Sequence, residues 1–117
     1  MMNDLSERLI TFAVDVIKLL RKFPGTSEYK IIINQLVKSS TSSGANYEEA
    51  QGASSKADFT NKVRISLKET RESNYWLKVL KGVNANEKLN QEINNLIKES
   101  QELKNILGSI CAKTKRK

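Results

Sequence analysis

Apolar residues recur at alternating steps of four and three along nearly all of this 117-residue chain, and that rhythm limits what it can fold into. Leu5, Leu9, Phe12, Val16, Leu19 and Phe23 trace one stripe along a helix. Tyr29, Ile33, Leu36, Ser40, Ser43, Tyr47 and Ala50 keep the same register through a segment so rich in Ser, Thr and Gly that propensity alone reads it as a linker. A third series runs Phe59, Val63, Ser66, Thr70, Ser73, Leu77, Leu80, and a fourth runs Leu89, Ile93, Leu96, Ser100, Leu103, Leu107, Ile110. A strand buries every second residue, so a 3.6-residue period confines the chain to helices. A linker has no reason to hold register. A helix facing a close neighbour does, and it wants small residues at the contact.

Breaks in the rhythm divide the chain into helices at about 4–22, 27–52, 56–82 and 86–112, with a basic tail at 113–117. Asp4 with Glu7, Ser55 with Asp58, and Asn84 with Glu87 have capping-box spacing, and Thr26 or Ser27 can cap the second helix after Pro24-Gly25. Short connections between helices of similar length predict an all-α, antiparallel up-down-up-down four-helix bundle, a single domain over residues 1–117. On the first helix Ile10, Ala13, Val14, Ile17 and Leu20 widen the apolar stripe. A helix this apolar is central in its bundle or shared with another subunit.

Most catalytic chemistry is excluded by what the chain lacks. Glu48, Glu49, Glu69, Glu72, Glu99 and Glu102 all fall on bundle helices, but a di-metal carboxylate centre there needs Glu-x-x-His pairs, and the sequence contains no histidine. One cysteine, Cys111, can form neither an internal disulfide nor a thiolate cluster, which suits a reducing compartment. No Gly-rich phosphate loop is present, and no histidine could activate a serine, so the Ser39–Ser43 cluster reads as close packing. The opening MMNDLSERL does not fit a signal peptide, and Asp15, Lys18 or Asn34 interrupts each apolar run. The expectation is a cytoplasmic, non-enzymatic protein with no cofactor, no metal and no membrane partner.

Charge is the positive signal. The formal net charge is +7, and because residues 1–55 balance to zero, the whole excess lies in residues 56–117. On the third helix Arg64, Arg71 and Lys78 are seven residues apart, with Lys68 and Lys81 on the same broad side. Such a ridge can follow a phosphate backbone, with Tyr75 near enough to stack on a base, although a solvated helix face has the same pattern. A second stripe on this helix, Ile65, Glu69, Glu72, Trp76 and Val83, sets two carboxylates on a face that ought to be dry. With Asn46 and Glu49 of the second helix, Glu69, Glu72 and Trp76 are the candidate structural or subunit-interface polar residues.

Gln35-Leu36 and the run Ser39-Ser40-Thr41-Ser42-Ser43-Gly44-Ala45-Asn46-Tyr47-Glu48-Glu49-Ala50 resemble the signature of the four-helix bundle proteins named after the 23S rRNA intervening sequence. Asp58-Phe59, Lys62, Lys68-Glu69, Glu72 and Tyr75-Trp76-Leu77 resemble its second block. The usual Pro in the long second helix and its Ala-Glu-Gly ending are replaced by Gly44 and by Glu49-Ala50-Gln51-Gly52. The resemblance implies an antiparallel bundle without known catalytic activity that assembles into a ring, typically a homopentamer. It is similar to accessory proteins of diversity-generating retroelements, which are basic and associate with a reverse transcriptase and nucleic acid. Two functions follow as expectations: RNA binding through the basic surface, or a protein–protein scaffold for a nucleic-acid-processing partner with little RNA affinity of its own.

Overall fold

Four helices are present where the apolar rhythm puts them. The computed structural model describes residues 4–115: α1 Asp4–Leu20, α2 Ser27–Gln51, α3 Lys56–Val83 and α4 Asn90–Lys115, with a 3-10 turn at Glu87–Leu89 leading into α4. α1 ends two residues earlier than its periodicity suggests, at a turn before Pro24. α4 begins four residues later and runs on through Lys113 and Thr114, which the sequence reading assigned to a tail. Residues 116 and 117 of that tail lie outside the described residues.

Caps account for most of the helix ends. Thr26 Oγ1 accepts from the Tyr29 N–H at the start of α2. Ser55 Oγ accepts from the Asp58 N–H while the Asp58 carboxylate accepts from the Ser54 N–H, a reciprocal arrangement close to a capping box. The expected Asn84–Glu87 pair does something different. The Asn84 side chain closes the turn by bonding the Asn86 backbone and Asn90 Oδ1, and Asn86 caps the 3-10 turn by accepting from the Lys88 N–H. Asp4 and Glu7 lie in the first turn of α1, where the helix dipole favours negative charge.

The helices form an elongated bundle of 47 × 26 × 21 Å in which consecutive helices pack on each other and α1 closes the ring on α4. Its core follows the predicted stripes, Leu9, Phe12, Val16 and Leu19 from α1, Leu36 and Tyr47 from α2, Val63, Leu77 and Leu80 from α3, and Ile93, Leu103 and Leu107 from α4, except that α2 buries Ile32 and leaves the expected Ile33 partly buried. Burying each large apolar side chain contributes about 1.5–3 kcal/mol, which supplies most of the drive to fold.

The α2–α3 seam is built differently. Ser39, Ser43, Ser66, Thr70 and Ser73 are fully buried there, and Ser40 is fully buried on α2. Ser39 Oγ and Ser73 Oγ lie 2.8 Å apart, and Ser66 Oγ donates to the Ser43 carbonyl at 2.6 Å. Small side chains let the two backbones approach, and their hydroxyls bond across the seam or to the preceding turn, so the polarity is satisfied rather than stranded. Among the described residues no buried side-chain polar atom lacks a partner. α3 meets α4 through Asn74, whose amide donates to Ser100 Oγ at 2.8 Å and to the Ile97 carbonyl.

α1 is tied to α4 by charge as well as by its apolar stripe. Arg8 holds Glu99 in a two-point contact, Nε–Oε2 3.0 Å and Nη2–Oε1 2.6 Å, and reaches Glu102 at 3.2 Å. These carboxylates keep the guanidinium more firmly protonated than usual, chiefly through the Glu99 hydrogen bond and against the opposing effect of burial. Lys22 pairs with Glu92 near the other end of α1. Because the Arg8 cluster is partly solvated, Arg8→Met is expected to cost only about 1 kcal/mol. Urea denaturation should show that difference shrinking in molar salt, where exposed charges are screened.

Candidate nucleic-acid interface

The bundle sorts its charges by face. α4 turns Glu92, Glu99 and Glu102 toward α1, where Lys22 and Arg8 neutralise them. Glu49 of α2 is paired by Lys62 of α3 across the α2–α3 seam. On α3, the 100° turn per residue carries Glu69 and Glu72 toward the α2 side, while Asn74 marks the α4 side. The outer surface between α3 and α4 is therefore left to cations and neutral side chains.

Arg64, Lys68, Arg71 and Lys78 line that surface and are all exposed. Arg64 reaches only Asn61 Oδ1, at 3.4 Å, and none of the four forms an ion pair among the described residues. At 1.5 Å per residue the row from Arg64 to Lys78 is about 21 Å long. Lys104 of α4, one turn beyond Ser100, lies half-buried beside it. Toward the start of α3 the row opens into a shallow depression of about 460 Å³ lined by Lys56, Thr60, Asn61, Arg64 and Thr114. Lys81 is exposed at the last turn of α3, but it stands about 100° round the helix from Arg64, beside the row rather than in it.

Glu69, Glu72 and Trp76 occupy a different place from the one their apolar neighbours suggest. Their stripe is the half-buried outer rim of the α2–α3 seam, with Ile65 and Val83 exposed at 41% and 49%, so within one chain it is not dry. Neither carboxylate has an ion-pair partner among the described residues. Asn46 bonds within its own helix, to the Ser42 carbonyl and hydroxyl, and exposed Glu49 takes the Lys62 contact.

A further exposed surface lies on α1. Ile10 and Val14 are 50% and 41% exposed, and with Ala13, Ile17, Thr41, Gly44, Ala45 and Glu48 they border an apolar groove of about 390 Å³ between α1 and α2. This is the over-wide stripe of the first helix, left outside the core. Gly44 faces Leu9 across this contact, and a Cβ built on it would stand 3.4 Å from Leu9 Cβ, an ordinary van der Waals distance that an alanine could occupy.

Sequence reasoning missed the Arg8–Glu99–Glu102 cluster and the Asn74–Ser100 bond. The first joins residues about ninety positions apart and leaves no local signature, since it depends on α4 returning beside α1. The second had a signal: Asn74 sits between Ser73 and Leu77, at the edge of the buried stripe of α3. Among the described residues no three His, Cys, Asp or Glu side chains cluster as metal ligands, and no helix is long and apolar enough to cross a membrane.

Comparison with known proteins fits this architecture. A crystal structure of a protein of unknown function of the S23 ribosomal protein family from Bacteroides thetaiotaomicron VPI-5482 superimposes with a TM-score of 0.81. It is 32% identical in sequence, over 92% of this chain and 97% of that one. None of the curated proteins matches. Residues 3–109 match the 23S rRNA-intervening sequence protein family, and with four helices in the expected order, cut at the expected turns, the chain belongs to that family.

Proposed function

We propose that this chain is a non-enzymatic, self-assembling bundle that binds RNA through the outer surface of α3 and α4. One observation carries the reading. The carboxylates of α4 are drawn to α1 and those of α3 to the α2 side, which leaves Arg64, Lys68, Arg71 and Lys78 as an unneutralised row. A cation paired within the fold has little to gain from a phosphate. One held in water with no partner can release the counterions of a polyanion. Lys81 and Lys104 extend the surface at its edges. Cys111, free and half-buried, supports a reducing compartment such as the cytoplasm.

Self-assembly is supported by the exposed Ile10 and Val14 on α1 and by the Ile65–Glu69–Glu72–Trp76–Val83 rim. These are two unlike faces of one bundle, and a ring needs contacts of that head-to-tail kind. Light scattering at micromolar concentration is expected to report a homo-oligomer, in line with the pentamer implied by the family resemblance. Ile10→Glu with Val14→Glu should shift it to monomer without unfolding it, since neither side chain is in the core. A wild-type monomer would remove this part of the reading.

The RNA test is a titration against structured RNA at increasing salt. Wild-type affinity should fall steeply, with log K changing by about 0.9 for each phosphate contacted per tenfold change in salt. Combined Arg64→Glu, Arg71→Glu and Lys78→Glu should weaken binding at least about 100-fold and lower the salt slope by about 3. Unchanged binding in the triple variant would sink the reading. A partner protein retained after nuclease treatment, by a chain with no RNA affinity, would favour a scaffold docking in the α1–α2 groove.

A further inference from the structure

The cationic row is interrupted by one aromatic ring. Tyr75 stands four residues after Arg71 and three before Lys78, on the same face of α3, and is 58% exposed. Its ring meets Trp76 in a T-shaped contact, with centroids 5.1 Å apart and planes at 80°. Trp76 itself packs against the core, so it braces one side of Tyr75 and leaves most of the ring to water. Among the described residues the contact with Trp76 is the one ring contact that Tyr75 makes. The buried neighbours Asn74 and Leu77 make the contacts to the rest of the bundle.

We propose that Tyr75 is a stacking platform for an unpaired base, and that the α3 surface therefore prefers single-stranded RNA to duplex. This deepens the RNA-binding reading and rests on it. A single strand can lay its backbone along Arg64, Lys68, Arg71 and Lys78 while one base turns onto the Tyr75 ring between them. In an A-form duplex the base faces are occupied by their neighbours, and the grooves offer only edges, sugars and phosphates. A ring on the crest of a convex helix finds nothing there to stack on. Glu72, between Tyr75 and Trp76 around the helix, and Glu69 beyond Trp76 lie on the α2 side, where they repel phosphate and hold the strand to the cationic side of Tyr75. Every base has a π-face, so the preference is for unpaired nucleotides and not for a sequence.

The intact chain carries its own reporter, since Trp76 is its one tryptophan. It is titrated with a short oligouridylate and with an RNA duplex of the same length at the same low salt, following Trp76 emission and the polarisation of labelled RNA. The single strand is expected to bind more tightly and to perturb Trp76. Tyr75→Ala should lower single-strand affinity by about tenfold, with duplex affinity and salt dependence unchanged, and Tyr75→Phe should restore it. Arg71→Glu should weaken both RNAs. Equal affinity for the two RNAs, or a Tyr75→Ala variant that binds the single strand like wild type, overturns the stacking role and leaves the cationic surface standing. Absence of binding to either RNA overturns both.

Discussion

Ser66→Leu is expected to lower the melting temperature by about 12 °C or more. Ser66 is fully buried on α3, and its hydroxyl donates to the Ser43 carbonyl of α2 at 2.6 Å. Leucine puts three carbons in place of one hydroxyl oxygen where the two backbones are held that close. Over-filling a packed site costs about 1–3 kcal/mol, and the upper end applies because helix backbone cannot move aside as a side chain can. For a domain of this size each kcal/mol is worth about 4 °C. Ser66→Ala is the control. It removes one hydrogen bond and no space is contested, so a loss of about 1 kcal/mol is expected. If circular dichroism melts place the leucine variant beside the alanine variant, α2 and α3 have slack between them and the close-packing account of the serine seam fails.

Phe12→Ala is expected to be at least as damaging by the opposite route. Phe12 is the largest fully buried side chain, and it lies midway along the Leu9–Phe12–Val16–Leu19 stripe by which α1 joins the bundle. Truncation removes the apolar contact and leaves a cavity, a combination that costs about 3–5 kcal/mol. That is a large share of the roughly 5–15 kcal/mol that stabilises a typical domain. α1 packs less extensively on its neighbours than α2 and α3 pack on each other, and the ion pairs of Arg8 that join it to α4 are partly solvated. Hydrogen exchange should therefore show α1 amides losing protection before those of α2 and α3. A variant that unfolds in one step, with all four helices exchanging together, would show that α1 is not a separable part of the bundle.

The two variants separate two ways in which one rhythm is used. Leu9, Phe12, Val16 and Leu19 make the periodicity obvious because the residues are large. Ser39, Ser40, Ser43, Ser66 and Ser73 make it easy to dismiss, because hydrophobic scales score serine as polar and propensity scales score it as a poor helix former. Register was the better guide. It measures where a residue points, and a buried serine whose hydroxyl bonds a nearby carbonyl is satisfied without water. For Glu69, Glu72 and Trp76 the spacing gave the side of α3 but not what covers it: α2 and α4 cover α3 on two sides, and within one chain this stripe falls at the rim.

What the sequence determined by itself was local: four helical stretches, most of their ends, the side of each that is buried, and a basic excess confined to the second half. Each follows from the angle a residue occupies about its own helix axis, or from a cap that bonds within a few residues. What only the tertiary structure decided was pairing. Arg8 meets Glu99 and Glu102, Lys22 meets Glu92, and Lys62 meets Glu49, because α4 closes back on α1 and α3 folds back on α2. Those partners are set by the rotation and height of one helix against another, which no local pattern encodes. They also bear on the candidate surface, since they draw the carboxylates of α4 to α1, and Arg64, Lys68, Arg71 and Lys78 form a row on α3 in which no member is ion-paired among the described residues.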